Sequence, residues 1–155
     1  MATEAPHDLK TARILLQDDE ETIREIVTGM LTSAGFECRG IETPKETLEV
    51  LESEKNIDLV LCGILEWSEK EFKGMTATFP DVPVVVLTAV HDISVLLNGL
   101  RMGAYDYLQK PFEREQLLFV AGRALECRGL KLENRALRTR LDGLHERGKR
   151  PKVQR

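Results

Sequence analysis

Short apolar runs alternate with longer amphipathic ones along this chain, and that alternation predicts βα units around a parallel sheet. The runs at Arg13–Leu16, Glu37–Ile41, Asp58–Cys62, Val84–Leu87 and Asp106–Leu108 predict strands. Helical spacing is found near Glu20–Ala34, Pro44–Glu54, Glu69–Thr78 and Ile93–Met102, and again in a long segment from Glu113. Gly35 stands where a helix C-terminus is expected. Thr43-Pro44 supplies a cap and a first-turn proline. Five such units predict a doubly wound sheet, in which a functional crevice lies outside the carboxyl ends of the strands. The residues to examine are therefore Gln17-Asp18-Asp19-Glu20, Gly63, Thr88-Ala89 and Lys110-Pro111.

Composition narrows the picture. The 155 residues suit one domain with an extension, and no apolar run reaches a membrane span. The N-terminus lacks the features of a signal peptide, so the expected location is the cytoplasm. Cys38, Cys62 and Cys127 fit no disulfide or metal pattern and are read as reduced small hydrophobes. His7, His91 and His145 are too scattered to form a metal cluster. Charge is divided unevenly. Residues 1–122 carry 11 Lys/Arg against 22 Asp/Glu, whereas residues 123–155 carry 11 against 4. An acidic body thus precedes a basic end.

The acidic run after the first strand would repel a phosphate, which counts against a flavodoxin-like or dinucleotide enzyme. Clustered carboxylates suit a hard divalent cation, with Asp18 and Asp19 as its ligands, while Glu20 and Glu21 suit the first turn of a helix.

Three motifs, taken in order, carry a family resemblance. ILLQDDEE, PDVPVVVLTA and LRMGAYDYLQKPF together resemble the receiver domain of two-component response regulators over about residues 11–125. The resemblance implies a flavodoxin-like (βα)5 doubly wound parallel sheet, strand order 2-1-3-4-5. It also implies Mg²⁺ on the acidic pair and a phosphoryl-accepting Asp at the end of the third strand. Thr88 and Lys110 would contact the phosphoryl group, Tyr107 would be the switch aromatic, and Lys110–Pro111 would be cis. The acceptor position falls on Gly63, which has no side chain and so supplies neither a nucleophile nor a metal ligand.

No neighbour replaces it from the strand. Asp58 lies at the amino end of that strand, and Cys62 points away by strand alternation. Glu66 is a loop carboxylate, and the stretch from Gly63 to Pro80 is shorter than in the family. No catalytic residue is therefore expected. No cofactor is required, and any Mg²⁺ on Asp18 and Asp19 is expected to bind more weakly than in the family. Thr88, Tyr107 and Lys110 then have structural readings beside the functional ones.

The last helix runs on past the family's usual end. Val120, Cys127, Asn134 and Leu141 fall at heptad a, and Arg123, Leu130, Leu137 and Leu144 at d. The g residues Glu126 and Glu133 complement Lys131 and Arg138 at e. This spacing predicts a parallel two-stranded coil, against the alternative of a helix that packs its leucines on its own domain. The segment also resembles the signalling helix of enhancer-binding transcriptional activators. The expected divisions are an N-terminal tail (1–10), a receiver (11–122), a linker helix (123–145) and a solvated, disordered basic tail (146–155).

The reading is a degenerate receiver that works as a homodimeric interaction module, with a sensor kinase or another signalling protein as partner. Nucleic acid would be reached only indirectly or through a missing output domain. One rival is a receiver still responsive through a cation, Glu66 or another ligand. Another is a small nucleic-acid-binding protein that uses its basic tail.

Overall fold

The computed structural model describes residues 12–153, with side chains through Leu144. The N-terminal segment, His7, the His145 side chain and the side chains of the basic end lie outside the described residues. In chain order the elements are β1 (Arg13–Gln17), α1 (Glu21–Ser33), β2 (Glu37–Ile41), α2 (Pro44–Ser53) and β3 (Leu59–Cys62). They continue with α3 (Glu69–Thr78), β4 (Val84–Thr88), α4 (Ile93–Arg101), β5 (Asp106–Gln109) and α5 (Arg114–Val153). All strand pairs are parallel, in the order β2-β1-β3-β4-β5.

Strand alternation divides the core into two layers. Ile14, Leu16, Leu59, Leu61, Val85 and Leu87 face Val27 and Leu31 of α1 and Leu117, Ala121 and Ala124 of α5. Leu15, Val60, Cys62, Val84 and Val86 face Val50 of α2, Phe72 and Met75 of α3, and Met102. β1, β3 and β4 are buried along their length except at Arg13, as expected of central strands covered on both sides.

The helix starts follow local chemistry. Thr43 and Glu46 form a reciprocal capping box ahead of Pro44, and Ser68 and Glu71 form another ahead of α3. After α4 the chain turns at Gly103, whose φ is +112°. A Cβ there would also lie 2.7 Å from the Thr76 Cβ. Gly103→Ala should therefore lose about 1–3 kcal/mol of stability. Thr76→Ala should not rescue it, because the Thr76 Cβ remains; denaturant melts of the single and double variants check this.

The expected elements are found, with changed ends. β1, β4 and β5 each extend one residue further, making Gln17, Thr88 and Gln109 strand residues. β3 begins one residue later, at Leu59. Asp58 precedes it as an end group: its N–H donates to the Arg13 carbonyl at 2.8 Å, and its Oδ2 accepts from the Arg13 N–H at 2.9 Å. α5 continues to Val153, which corrects the expectation of a disordered basic tail beginning at residue 146. Glu146, Arg147, Lys149 and Arg150 are good helix formers and favour the helix there, although Gly148 and Pro151 oppose it. Among the described residues no helix is long and apolar enough to cross a membrane.

Candidate functional site

The carboxyl ends of β1, β3, β4 and β5 bring four of the expected positions into one crevice. Asp18 follows β1 and is almost fully buried, while Asp19 and Glu20 are exposed. Its backbone N–H is held by the Ile41 carbonyl at 3.1 Å. Its Oδ1 accepts from the Glu20 N–H at 2.9 Å, and its Oδ2 accepts from Lys110 Nζ at 2.8 Å. Lys110 directly follows β5 and precedes the cis Lys110–Pro111 bond, and its backbone N–H donates to the Thr88 carbonyl at 2.7 Å. The Thr88 hydroxyl accepts from the Val90 N–H at 3.0 Å. Tyr107 is half-buried against the core on the α2–α4 side.

Asp18, Asp19 and Glu20 each offer a carboxylate oxygen within 4.8 Å of the others. That spacing and an all-oxygen donor set fit the Mg²⁺ implied for such a site, with Asp18 and Asp19 as the side chains that would hold it. Glu20, assigned from sequence only to the helix start, also borders this group. Asp18 is already paired with Lys110, so a cation would share its carboxylate with that ammonium.

Gly63 lies just past β3, buried, with its N–H donating to the Gln17 carbonyl at 3.2 Å. The space beside it is taken. A Cβ built on Gly63 would collide with Oε1 of Glu66, whose Cδ is 3.4 Å away. The loop carboxylate therefore reaches back into the volume that a side chain at position 63 would occupy. Partial burial and the nearby charges of Asp19 and Asp18 push the Glu66 carboxyl above its ordinary range, while the Gln17 amide and Lys110 oppose this.

The loop has its own anchors. Trp67 is nearly buried and donates through Nε1 to Gln17 Oε1 at 2.8 Å. The Gln17 amide nitrogen donates to the Glu42 carbonyl at 2.8 Å and lies 3.5 Å from Glu66 Oε1. Gln17 stood among the strand-end residues picked out from sequence but was given no role; the available signal was a lone amide at the end of an otherwise apolar strand. Cys62 is buried, and burial together with the Glu66 charge pushes its thiol far up, which makes it inert. Cys38 and Cys127 are only half-buried.

At the other end of the sheet, the long helix meets the segments that lead into β3 and β4. Arg128 Nε is 3.1 Å from Asp58 Oδ1, and its Nη1 donates to the Asp81 carbonyl at 2.9 Å. Arg135 pairs with the Asp81 carboxylate one helical stretch on. Lys131, Asn134 and Arg138 border a crevice of about 440 Å³ against Pro80 and Asp81. α5 thus meets its own body through arginines. Leu130, Leu137, Leu141 and Leu144 are 65, 44, 63 and 58% exposed, so the alternative in which they pack on their own domain does not hold. Val120, placed in the seam from sequence, instead packs against the domain core, and Cys127 is half-buried. The free apolar stripe begins at Leu130.

Residues 14–121 match the response regulator receiver domain, and the chain belongs to that family. It is 33% identical over 133 residues to an NtrX-like response regulator of Rickettsia bellii, covering 83% of this chain and 28% of that protein. It is 32% identical over 150 residues to the C4-dicarboxylate transport transcriptional regulatory protein DctD of Pseudomonas aeruginosa, covering 94% of this chain and 32% of that one. The ADP complex of NtrX from Brucella abortus superimposes with a TM-score of 0.79 at 33% identity, over 85% of this chain and 30% of that one. The chain spans about a third or less of the length of these relatives.

Proposed function

We propose that this receiver domain transmits signals through protein contacts without accepting a phosphoryl group at the end of β3. It would act as a homodimer through α5, as the regulatory part of a transcriptional regulator. The observation that carries this reading is the position after β3. It is a glycine, its side-chain volume is filled by a loop carboxylate, and Asp58 is fixed at the other end of the strand. A phosphoryl acceptor must be a carboxylate held in line with the donor and beside the metal and lysine. Glu66 instead approaches from a loop three residues on.

Dimerisation is supported by the free leucine stripe, which the body does not cover. The regulatory role is supported by the named relatives, two of which are response regulators or transcriptional regulators by description.

The test is exposure to acetyl phosphate and Mg²⁺, followed by intact mass and peptide mapping. The expected result is no phosphoryl adduct on any Asp or Glu. A stoichiometric adduct, at Glu66 or elsewhere, would sink the reading.

A further inference from the structure

We propose that Glu66 replaces the missing carboxylate of position 63 as the third acidic ligand toward Mg²⁺, so that Gly63 and Glu66 act as one coupled pair. The inference rests on the reading of this chain as a receiver without an acceptor at position 63, and it assigns a working role to what has moved there.

Glu66 Oε1 lies where a Cβ on Gly63 would be, 3.5 Å from the Gln17 amide nitrogen at the end of β1, which places the carboxylate next to, but not within, the group formed by Asp18, Asp19 and Glu20. Only a glycine at 63 leaves that volume open to a side chain from elsewhere. The loop is built to deliver it. Trp67, the next residue, is pinned by the Gln17 amide, and its ring meets Phe72 edge-on at 5.8 Å. On the other side, Ile64 is nearly buried, and its Cδ1 comes within 2.8 Å of where a Cβ on Gly99 of α4 would lie. Held at Ile64 and Trp67, the loop exposes Leu65 and turns Glu66 inward.

The charges fit the same role. Asp18 and Asp19 repel each other and have one ammonium, Lys110, among them and Glu20. A third carboxylate adds repulsion in the absence of a cation. A divalent ion turns the same crowding into attraction, since hard cations favour clustered carboxylate oxygens.

The position is reached by the free end of a flexible side chain. An aspartate at 63 would therefore displace Glu66 rather than break the fold. The two carboxylates compete for one volume, and only one can face the acidic pair. Gly63→Asp therefore exchanges one third acidic group for another and does not add one.

The experiment is a four-protein cycle: the native chain, Glu66→Ala, Gly63→Asp and the double variant. Trp67 is the only tryptophan of the chain and contacts Gln17 beside the site, so its fluorescence reports Mg²⁺ titrations directly. Glu66→Ala should weaken Mg²⁺ about tenfold or more in the native background, which corresponds to roughly 1.4 kcal/mol. In the Gly63→Asp background the same change should alter affinity less than about twofold, because Glu66 is already displaced; the contrast between backgrounds is the coupling. Glu66→Gln keeps the shape and should weaken binding as Glu66→Ala does. Equal effects of Glu66→Ala in both backgrounds would overturn the proposal. So would native-like binding by Glu66→Gln, or a native chain with no saturable Mg²⁺ response. A phosphoryl adduct on the native chain would instead remove the acceptor-less reading while leaving the cycle interpretable.

Discussion

Leu130→Asp combined with Leu137→Asp should convert the chain from a dimer into a folded monomer, the largest change in behaviour expected of any substitution on its surface. The stripe formed by Leu130, Leu137, Leu141 and Leu144 is exposed along α5, while the helix is tied to its body through Arg128 and Arg135 on another face. Burial of each leucine against a second copy is worth roughly 1.5–3 kcal/mol. Two aspartates at d positions remove two such contributions from each chain and place four like charges in one seam. The ion pairs of Glu126 with Lys131 and Glu133 with Arg138 across the seam would each contribute only about 0–1 kcal/mol, and cannot offset that loss. The sheet should be unaffected, because neither leucine touches the core. Light scattering at micromolar concentration measures the mass, and circular dichroism confirms the fold. A monomeric native chain, or a double variant that remains dimeric, would remove α5 as the dimer contact.

The fold was legible because its signals are local and repeated. β1 and β4 are short apolar runs closed at the functional end by polar residues, β3 is one that stops at Gly63, and the two capping boxes, at Thr43 and Ser68, are written in four-residue windows. The crevice was legible for a related reason: a parallel sheet gathers whatever follows its strands, so Asp18, Gly63, Thr88 and Lys110 had to meet. The inward turn of Glu66 was not legible. It depends on a volume that Gly63 leaves empty and on a loop path fixed by Trp67, Gln17 and Ile64, residues far apart in sequence. No periodicity encodes that. The same holds for α5. Heptad spacing identified the leucines, but the assignment of Val120 to the seam failed because the domain core competes for the same helix. Nor could spacing show that Asp58 and Asp81 would capture Arg128 and Arg135.

The loop that carries Glu66 should be as costly to unseat as an ordinary core element, and Phe72→Ala measures this. Phe72 lies on α3, is fully buried, and meets the Trp67 ring at an interplanar angle of 81°. Truncating a buried phenylalanine costs about 3–5 kcal/mol through lost transfer energy and the cavity left behind. About 0.5–1.5 kcal/mol of favourable edge-to-face geometry is lost with it. That is a large part of a typical domain's roughly 5–15 kcal/mol. Leu65→Ala, two residues before Trp67 in the same loop but 71% exposed, should fall within about 0.5 kcal/mol of the native chain. Denaturant melts read the stabilities. The emission of Trp67, which is 8% exposed in the native fold, should shift to the red in Phe72→Ala before unfolding begins, because its apolar neighbour is gone. A Phe72→Ala protein as stable as Leu65→Ala, with native emission, would show that the loop is not anchored as described. Glu66 would then have no fixed path into the space beside Gly63.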